Sequence, residues 1–197
     1  TFPVVKCATW VKGNTVLMGD AAHTAHFSIG SGTKLAMEDA IELDRALGDA
    51  GAGDIPAALA LYEQRRAPEV ARLQRAAQTS MEWFEQTARY TGKDPVTFTF
   101  NLMTRSKRIT YDNLALRDPA LVLRTAEVFA NEQGVPVGEA VPAPMFVPLA
   151  LRDCVLPNRV AVSPMCQYRA EDGTVGDWHL VHLGSRAIGG AGLVLTE

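Results

Sequence analysis

Val16-Leu17-Met18-Gly19-Asp20-Ala21-Ala22-His23, continuing through Gly30-Ser31-Gly32 to Thr33, is the stretch on which the reading of this chain turns. Residues 14–18 are largely β-branched and apolar and are stopped by Gly19-Asp20, so they predict a short buried strand. A loop containing glycine and serine follows as far as Gly32. From Thr33 the period changes. Ala36, Ala40, Leu43 and Leu47 share one helical face, Glu38, Glu42 and Arg45 share another, and Gly48 can end the helix. The order is therefore strand, loop, helix, with a carboxylate at the end of the strand and glycines beside the helix N-terminus.

Further along the chain, Asp54 with Pro56 reads as a cap and first turn of a second helix, running through Leu59 and Tyr62 to Pro68, which is expected to kink or divide it. Further helices are expected near 80–90, 96–103 and 119–130. Between Gln133 and Pro148 the residues Gly134, Pro136, Gly138, Pro142, Pro144 and Pro148 favour extended chain, which makes 134–147 a linker. Beyond it, a strand at 159–163, a helix at 177–188 and a strand at 192–196 compose one βαβ unit.

The 197 residues carry 47% hydrophobic and 21% charged side chains with a net charge of −3, which is ordinary globular usage and excludes a disordered or fibrous chain. Neither the first 133 residues nor the remainder has the basic excess of a nucleic-acid binder. Cys7, Cys154 and Cys166 are too few and too scattered for a disulfide framework, so a reducing cytoplasm is the expected compartment. No apolar run is long enough to span a membrane, and none resembles a signal peptide. The chain begins at Thr1 and stops within the apolar run 191–196, and it reads as an excerpt of a longer protein.

The 16–33 segment resembles the C-terminal flavin motif of the FAD-dependent aromatic hydroxylases, the para-hydroxybenzoate hydroxylase-like monooxygenases. A carboxylate at a strand end can accept hydrogen bonds from sugar-alcohol hydroxyls, and glycines beside a helix N-terminus let backbone N–H groups approach an electron-rich ring edge. The resemblance implies that Asp20 holds the ribityl chain of FAD and that the amides of Gly30, Ser31, Gly32 and Thr33 face the flavin pyrimidine. Where many members of that family carry a proline-rich stretch after the histidine, this chain has Thr24-Ala25-His26-Phe27-Ser28.

Residues 148–197 carry Asn158-Arg159, Ser163-Pro164-Met165-Cys166-Gln167-Tyr168, Asp172-Gly173, Trp178-His179, His182, Arg186-Ala187 and Gly189-Gly190-Ala191-Gly192-Leu193. This spacing resembles the start of the old yellow enzyme family of FMN-dependent TIM-barrel reductases. The resemblance implies that Ser163, Pro164, Met165 and Cys166 pack along an FMN, that Cys166 tunes its potential, and that Tyr168 borders the substrate; Cys166 and Tyr168 are the expected catalytic residues. TIM-barrel sites do lie where strand ends meet loops.

The two halves together resemble the bifunctional salicylyl-CoA 5-hydroxylase/oxidoreductases and 2-aminobenzoyl-CoA monooxygenase/reductases. The implied fold is α/β in the full protein. In this mostly helical chain, 1–133 ends an FAD/NAD(P)-binding domain, 134–147 is the linker and 148–197 begins a TIM barrel. The implied activity is NAD(P)H- and O2-dependent hydroxylation of an aromatic acyl-CoA coupled to an FMN-dependent reductase, with a homo-oligomer as a further expectation. Two other readings stand beside it: a hydroxylase with a non-catalytic barrel appendage, and a helical interaction module without flavin. The pairs His23/His26 and His179/His182 lack a completing ligand for a metal. Gly189-Gly190-Ala191-Gly192 follows a helix and precedes a strand, the reverse of a dinucleotide loop, and reads as a turn. Arg65-Arg66 reads as a solvated helix face that a phosphate-bearing substrate could use.

Overall fold

A computed structural model describes residues 3–51, 53–138 and 140–196. The chain divides into two compact units, Thr1–Lys93 with Asn101–Leu114, and Asp94–Phe100 with Ala115–Glu197.

In the first unit, β1 (Val11–Lys12) and β2 (Thr15–Val16) pair antiparallel as a hairpin, with Val11 opposite Val16. Gly13, at φ +58°, turns the chain between them. The strand expected at 14–18 is thus a two-residue hairpin arm, and its residues Val16, Leu17 and Met18 are only half-buried. The turn at Gly13 supplies the preceding residues as its partner, and beyond the arm Leu17 N–H reaches Trp10 C=O at 2.9 Å. Gly19, left-handed at φ +56°, then bends the chain into a single 3-10 turn, Gly19–Ala21.

Helix α1 (Gly32–Asp49) packs on α2 (Ile55–Glu85). Asp54 caps α2, accepting Ala57 N–H at 3.1 Å, and Pro56 occupies the first turn as expected. Pro68 does not divide this helix, which runs unbroken for 31 residues. A mid-helix proline costs roughly 3 kcal/mol. Here it lies on the exposed side, while Tyr62, Val70 and Leu73 on the buried side hold the axis, each burying about 1.5–3 kcal/mol of apolar side chain. Helix α1 also differs from expectation. Its buried residues are Leu35, Asp39 and Ala46, with Leu43 partly buried, whereas Ala36, Ala40 and Leu47 face solvent. The helix continues through Gly48, and Gly51 at φ +80° takes the left-handed turn after it. Trp10, Ala22, Leu35, Ala46, Tyr62, Val70 and Leu73 form the core.

Helices α3 (Pro95–Thr104) and α4 (Tyr111–Arg117) follow. In the second unit, α5 (Pro119–Glu132) is capped by Asp118, which accepts Leu121 N–H at 3.0 Å. The described residues of 134–147 include a 3-10 turn, Pro144–Phe146, and end at the fully buried Val147. Arg159 fastens this stretch: its backbone N–H reaches Met145 C=O at 2.8 Å. Its guanidinium donates to Gln133 Oε1 and Pro148 C=O and lies over the Phe129 ring. Next comes an antiparallel hairpin, β3 (Leu149–Leu151) with β4 (Cys154–Leu156), for which the sequence reading had no element. Its turn places Arg152 at φ +54°.

The βαβ unit is present. Strand β5 (Ala161–Val162) pairs parallel with β6 (Leu193–Val194) across α6 (Asp177–Ile188), with Ala161 opposite Leu193. The strands are shorter than the expected five residues each. The glycine-rich segment after α6 is a turn, as expected, with Gly190 at φ +91°. A Cβ on Gly192 would overlap the carbonyl and side-chain oxygens of Asn158, whose amide also bonds Gly190 C=O at 2.8 Å. Gly192→Ala is therefore expected to cost about 1–3 kcal/mol locally by overpacking. Amide exchange at Leu193 and Leu195, which bond Val160 and Val162 C=O, reads this; unchanged protection would contradict it. Among the described residues, no helix is long and apolar enough to cross a membrane.

Candidate functional site

The first unit gathers its chemistry around a fully buried carboxylate. Asp39, on the inner face of α1, accepts three hydrogen bonds: Gly19 N–H at 2.9 Å, His23 Nε2 at 2.8 Å and Arg66 Nε at 2.8 Å. His23 Nε2 bonds this carboxylate, its Nδ1 is buried with no hydrogen-bond partner among the described residues, and Arg66 is the permanent cation of the cluster. Arg66 also reaches Glu38 Oε2 at 3.3 Å and Leu35 C=O at 3.5 Å. Burial acts to raise the Asp39 carboxyl, yet the hydrogen bonds from His23, Gly19 N–H and Arg66 together hold it below its ordinary value. Trp10 covers the cluster, its ring centroid 5.0 Å from that of His23 and 5.8 Å from that of Tyr62.

This cluster shapes the Gly19–Ala21 turn. Gly19 C=O accepts both Ala22 N–H and His23 N–H, and a Cβ on Gly19 would stand 3.3 Å from Ala36 Cβ. The left-handed φ and the close helix both call for glycine here. Asp20, the next residue, is exposed, and among the described residues its carboxylate has no hydrogen-bond or ion-pair partner. The sequence marked Asp20 but missed what holds it. The available signal was a charged residue, Asp39, four positions after Leu35 on what is now seen as the buried stripe. Arg65-Arg66 was also misread as one solvated face. Arg65 is exposed and pairs with Asp49 and Glu42, whereas Arg66, about 100° around the helix, points inward.

The loop after the turn is tied down from outside. Ser28 donates its hydroxyl to Ala77 C=O at 3.2 Å, and Ser28 C=O accepts from Arg105 Nη2 at 3.0 Å and from the Ser80 hydroxyl at 3.4 Å. Gln74 reaches Val5 C=O and Thr24 C=O at 3.0 and 2.8 Å. Gly30 then turns at φ +61° and leads into α1. Ser31 is buried, but its hydroxyl donates backward to Ile29 C=O and does not cap the helix. Gly30, Gly32 and Thr33 are exposed. An exposed carboxylate at one turn and an uncapped, glycine-rich helix N-terminus at the next form a donor and acceptor set that fits a flavin with its sugar-alcohol chain: hydroxyls for Asp20, ring carbonyls for the amides.

In the second unit, Ser163, Pro164, Met165 and Cys166 leave the C-terminal end of β5 and are all exposed. Gln167 Nε2 donates to Met165 C=O, and Trp178 Nε1 donates to Gln167 Oε1. Tyr168 is 92% exposed and sits at φ +52°, an uncommon backbone state for an aromatic residue. A cleft of about 220 Å³ opens at this end of the strand pair, lined by Met165, Gln167, His179, His182, Leu195 and Thr196 among others. His179 is buried, and its Nδ1 accepts Gly176 N–H at 3.1 Å at the start of α6.

Residues 4–77 match the family model described as an FAD binding domain. A salicyloyl-CoA 5-hydroxylase from a Streptomyces species is 49% identical over 125 residues, 62% of this chain and 24% of the relative. A 3-hydroxy-4-methyl-anthranilyl-[aryl-carrier protein] 5-monooxygenase from Streptosporangium sibiricum is 51% identical over 85 residues, 42% of this chain and 23% of the relative. An NADH:flavin oxidoreductase from Gibberella zeae is 45% identical over 53 residues, 27% of this chain and 13% of the relative. The chain thus spans no more than 24% of the length of these curated relatives.

Proposed function

We propose that this chain is part of a flavin-dependent aromatic monooxygenase whose FAD lies against the Gly19–Ala21 turn and the N-terminus of α1. The observation that carries this reading is the exposed Asp20 carboxylate, without a partner among the described residues, presented by a turn fixed from beneath and lying within the segment that matches an FAD binding domain. Bound there, FAD supplies the O2-activating chemistry of hydroxylation, with NAD(P)H as the electron donor. The chain's own part is to bind and orient. Asp20 accepts from the ribityl hydroxyls, and the amides of Gly30, Ser31, Gly32 and Thr33 donate to the pyrimidine edge. The substrate is an aromatic acid carried as a thioester, of the acyl-CoA or carrier-protein kind that the hydroxylase relatives' names describe.

The proposal extends to the second half. Residues 148–197 begin an old yellow enzyme-like TIM barrel that holds FMN, with Ser163, Pro164, Met165 and Cys166 along the ring and Tyr168 toward the substrate. The parallel β5–α6–β6 unit and the exposure of these residues at the strand's C-terminal end support this reading, since ligands of parallel α/β folds bind at that end. Residues 134–147 are the connector.

Two substitutions in the full-length protein test both halves. Asp20→Ala is expected to weaken FAD binding by about tenfold or more, the loss of a charge-assisted hydrogen bond of roughly 1.5–3 kcal/mol. Cys166→Ala is expected to leave FAD content and hydroxylation intact and to shift the reduction potential of bound FMN. FAD and FMN content per chain, with both half-reactions, decide the matter. Unchanged FAD affinity in the first variant would overturn the hydroxylase reading, and absence of FMN from the purified protein would overturn the barrel reading.

A further inference from the structure

We propose that Asp39 is a positioning residue for the flavin: it clamps both ends of the 19–23 segment and thereby aims the Asp20 carboxylate. The inference rests on the flavin reading of Asp20 and goes beyond it. Asp39 itself lies out of a ligand's reach, being fully buried on the inner face of α1. One of its oxygens, Oδ2, takes both Gly19 N–H and His23 Nε2, at 2.9 and 2.8 Å, so the residues before and after Asp20-Ala21-Ala22 converge on a single atom. The other, Oδ1, takes Arg66 Nε from α2, which fixes the carboxylate plane and balances its charge. The segment between the clamped ends is one 3-10 turn closed on Gly19 C=O, and it leaves Asp20 little freedom except to project outward. A carboxylate that must meet sugar-alcohol hydroxyls gains affinity when it is held in place beforehand, because the ordering cost is already met by the fold.

The test is a double-mutant cycle on FAD affinity in the full-length apoprotein, read by quenching of free FAD fluorescence well below the unfolding transition. Asp20→Ala is expected to raise Kd at least tenfold. Asp39→Asn, which keeps the shape but meets three donors with one acceptor oxygen and an amide, is expected to raise Kd about tenfold in the native background. In the Asp20→Ala background it should change Kd less than twofold, because its effect runs through Asp20. An equal loss in both backgrounds would assign Asp39 to general folding and overturn the proposal, as would no loss in either. If Asp20→Ala itself leaves Kd unchanged, the flavin reading fails first, a result distinguishable from the others. Should Asp39→Asn not fold by circular dichroism, His23→Leu and His23→Gln replace it. Loss of the donor should raise Kd severalfold only when Asp20 is present, and glutamine, which keeps an N–H, should restore it. Failure of that contrast overturns the proposal equally.

Discussion

Arg66→Met is expected to cost about 3–5 kcal/mol of stability, since removing one partner of a buried pair leaves an uncompensated charge in the interior. The residue left behind is Asp39, fully buried, with the Gly19 amide and His23 Nε2 to hold it. Its sequence neighbour supplies the control. Arg65 pairs with Asp49 at 2.7 Å and Glu42 at 3.2 Å, but on the surface, where such pairs contribute only about 0–1 kcal/mol. Urea unfolding followed by far-ultraviolet circular dichroism, which reads the loss of α1 and α2, measures both variants. Similar losses from Arg65→Met and Arg66→Met would contradict the buried-pair account.

A second large effect is expected on the acid side. Burial pushes the Asp39 carboxyl up, but the bonds from His23, Gly19 N–H and Arg66 outweigh it and bring the group below its ordinary value of 3.8. A carboxyl depressed in the folded state binds protons less readily than in the unfolded chain, so it stabilises the fold above the unfolded value and that stability is lost as pH falls through the folded one. Asp39→Asn should therefore be less stable than the native protein by about 3 kcal/mol above roughly pH 5. The gap should shrink below about pH 4, as protonation makes the native side chain resemble the amide. A gap that stays constant from pH 7 to pH 3 would show that the Asp39 charge is not the source.

The parts of the fold that were legible in the sequence are those written in local chemistry. Asp54 with Pro56 announced the start of α2, and α6 was bounded correctly at Asp177–Ile188 because Gly176 and Gly189 flank an amphipathic run. What could not be read locally depends on what an element meets. Alanine carries little burial preference, so Ala36 and Ala40 drew the expected face of α1 away from the stripe of Leu35, Asp39 and Ala46. Pro68 breaks a helix in isolation, but here Tyr62 and Val70 are gripped on the opposite side. The Leu149–Leu156 hairpin was hidden by the prolines preceding it, because Arg152 supplies a left-handed turn with no glycine to mark it. At the site, Asp20 was visible as part of a motif. Asp39 and Arg66 were not, since their meaning arises only when α1 and α2 dock and close a contact 27 positions apart in the chain.

The shared carboxylate also constrains how this segment can evolve. His23 and Arg66 both bond Asp39, so removing the carboxylate or the guanidinium alone strands its partner at a cost of about 3–5 kcal/mol, a large share of the roughly 5–15 kcal/mol that holds a typical domain together. An apolar trio could fill the same space, yet every single-step route to it passes through a variant with a buried polar group left unpaired. The three positions should therefore behave epistatically: an apolar substitution at one is harmful by itself and is tolerated only after its partners have changed. A library that randomises all three together should recover working combinations that no sequence of one-residue scans would find.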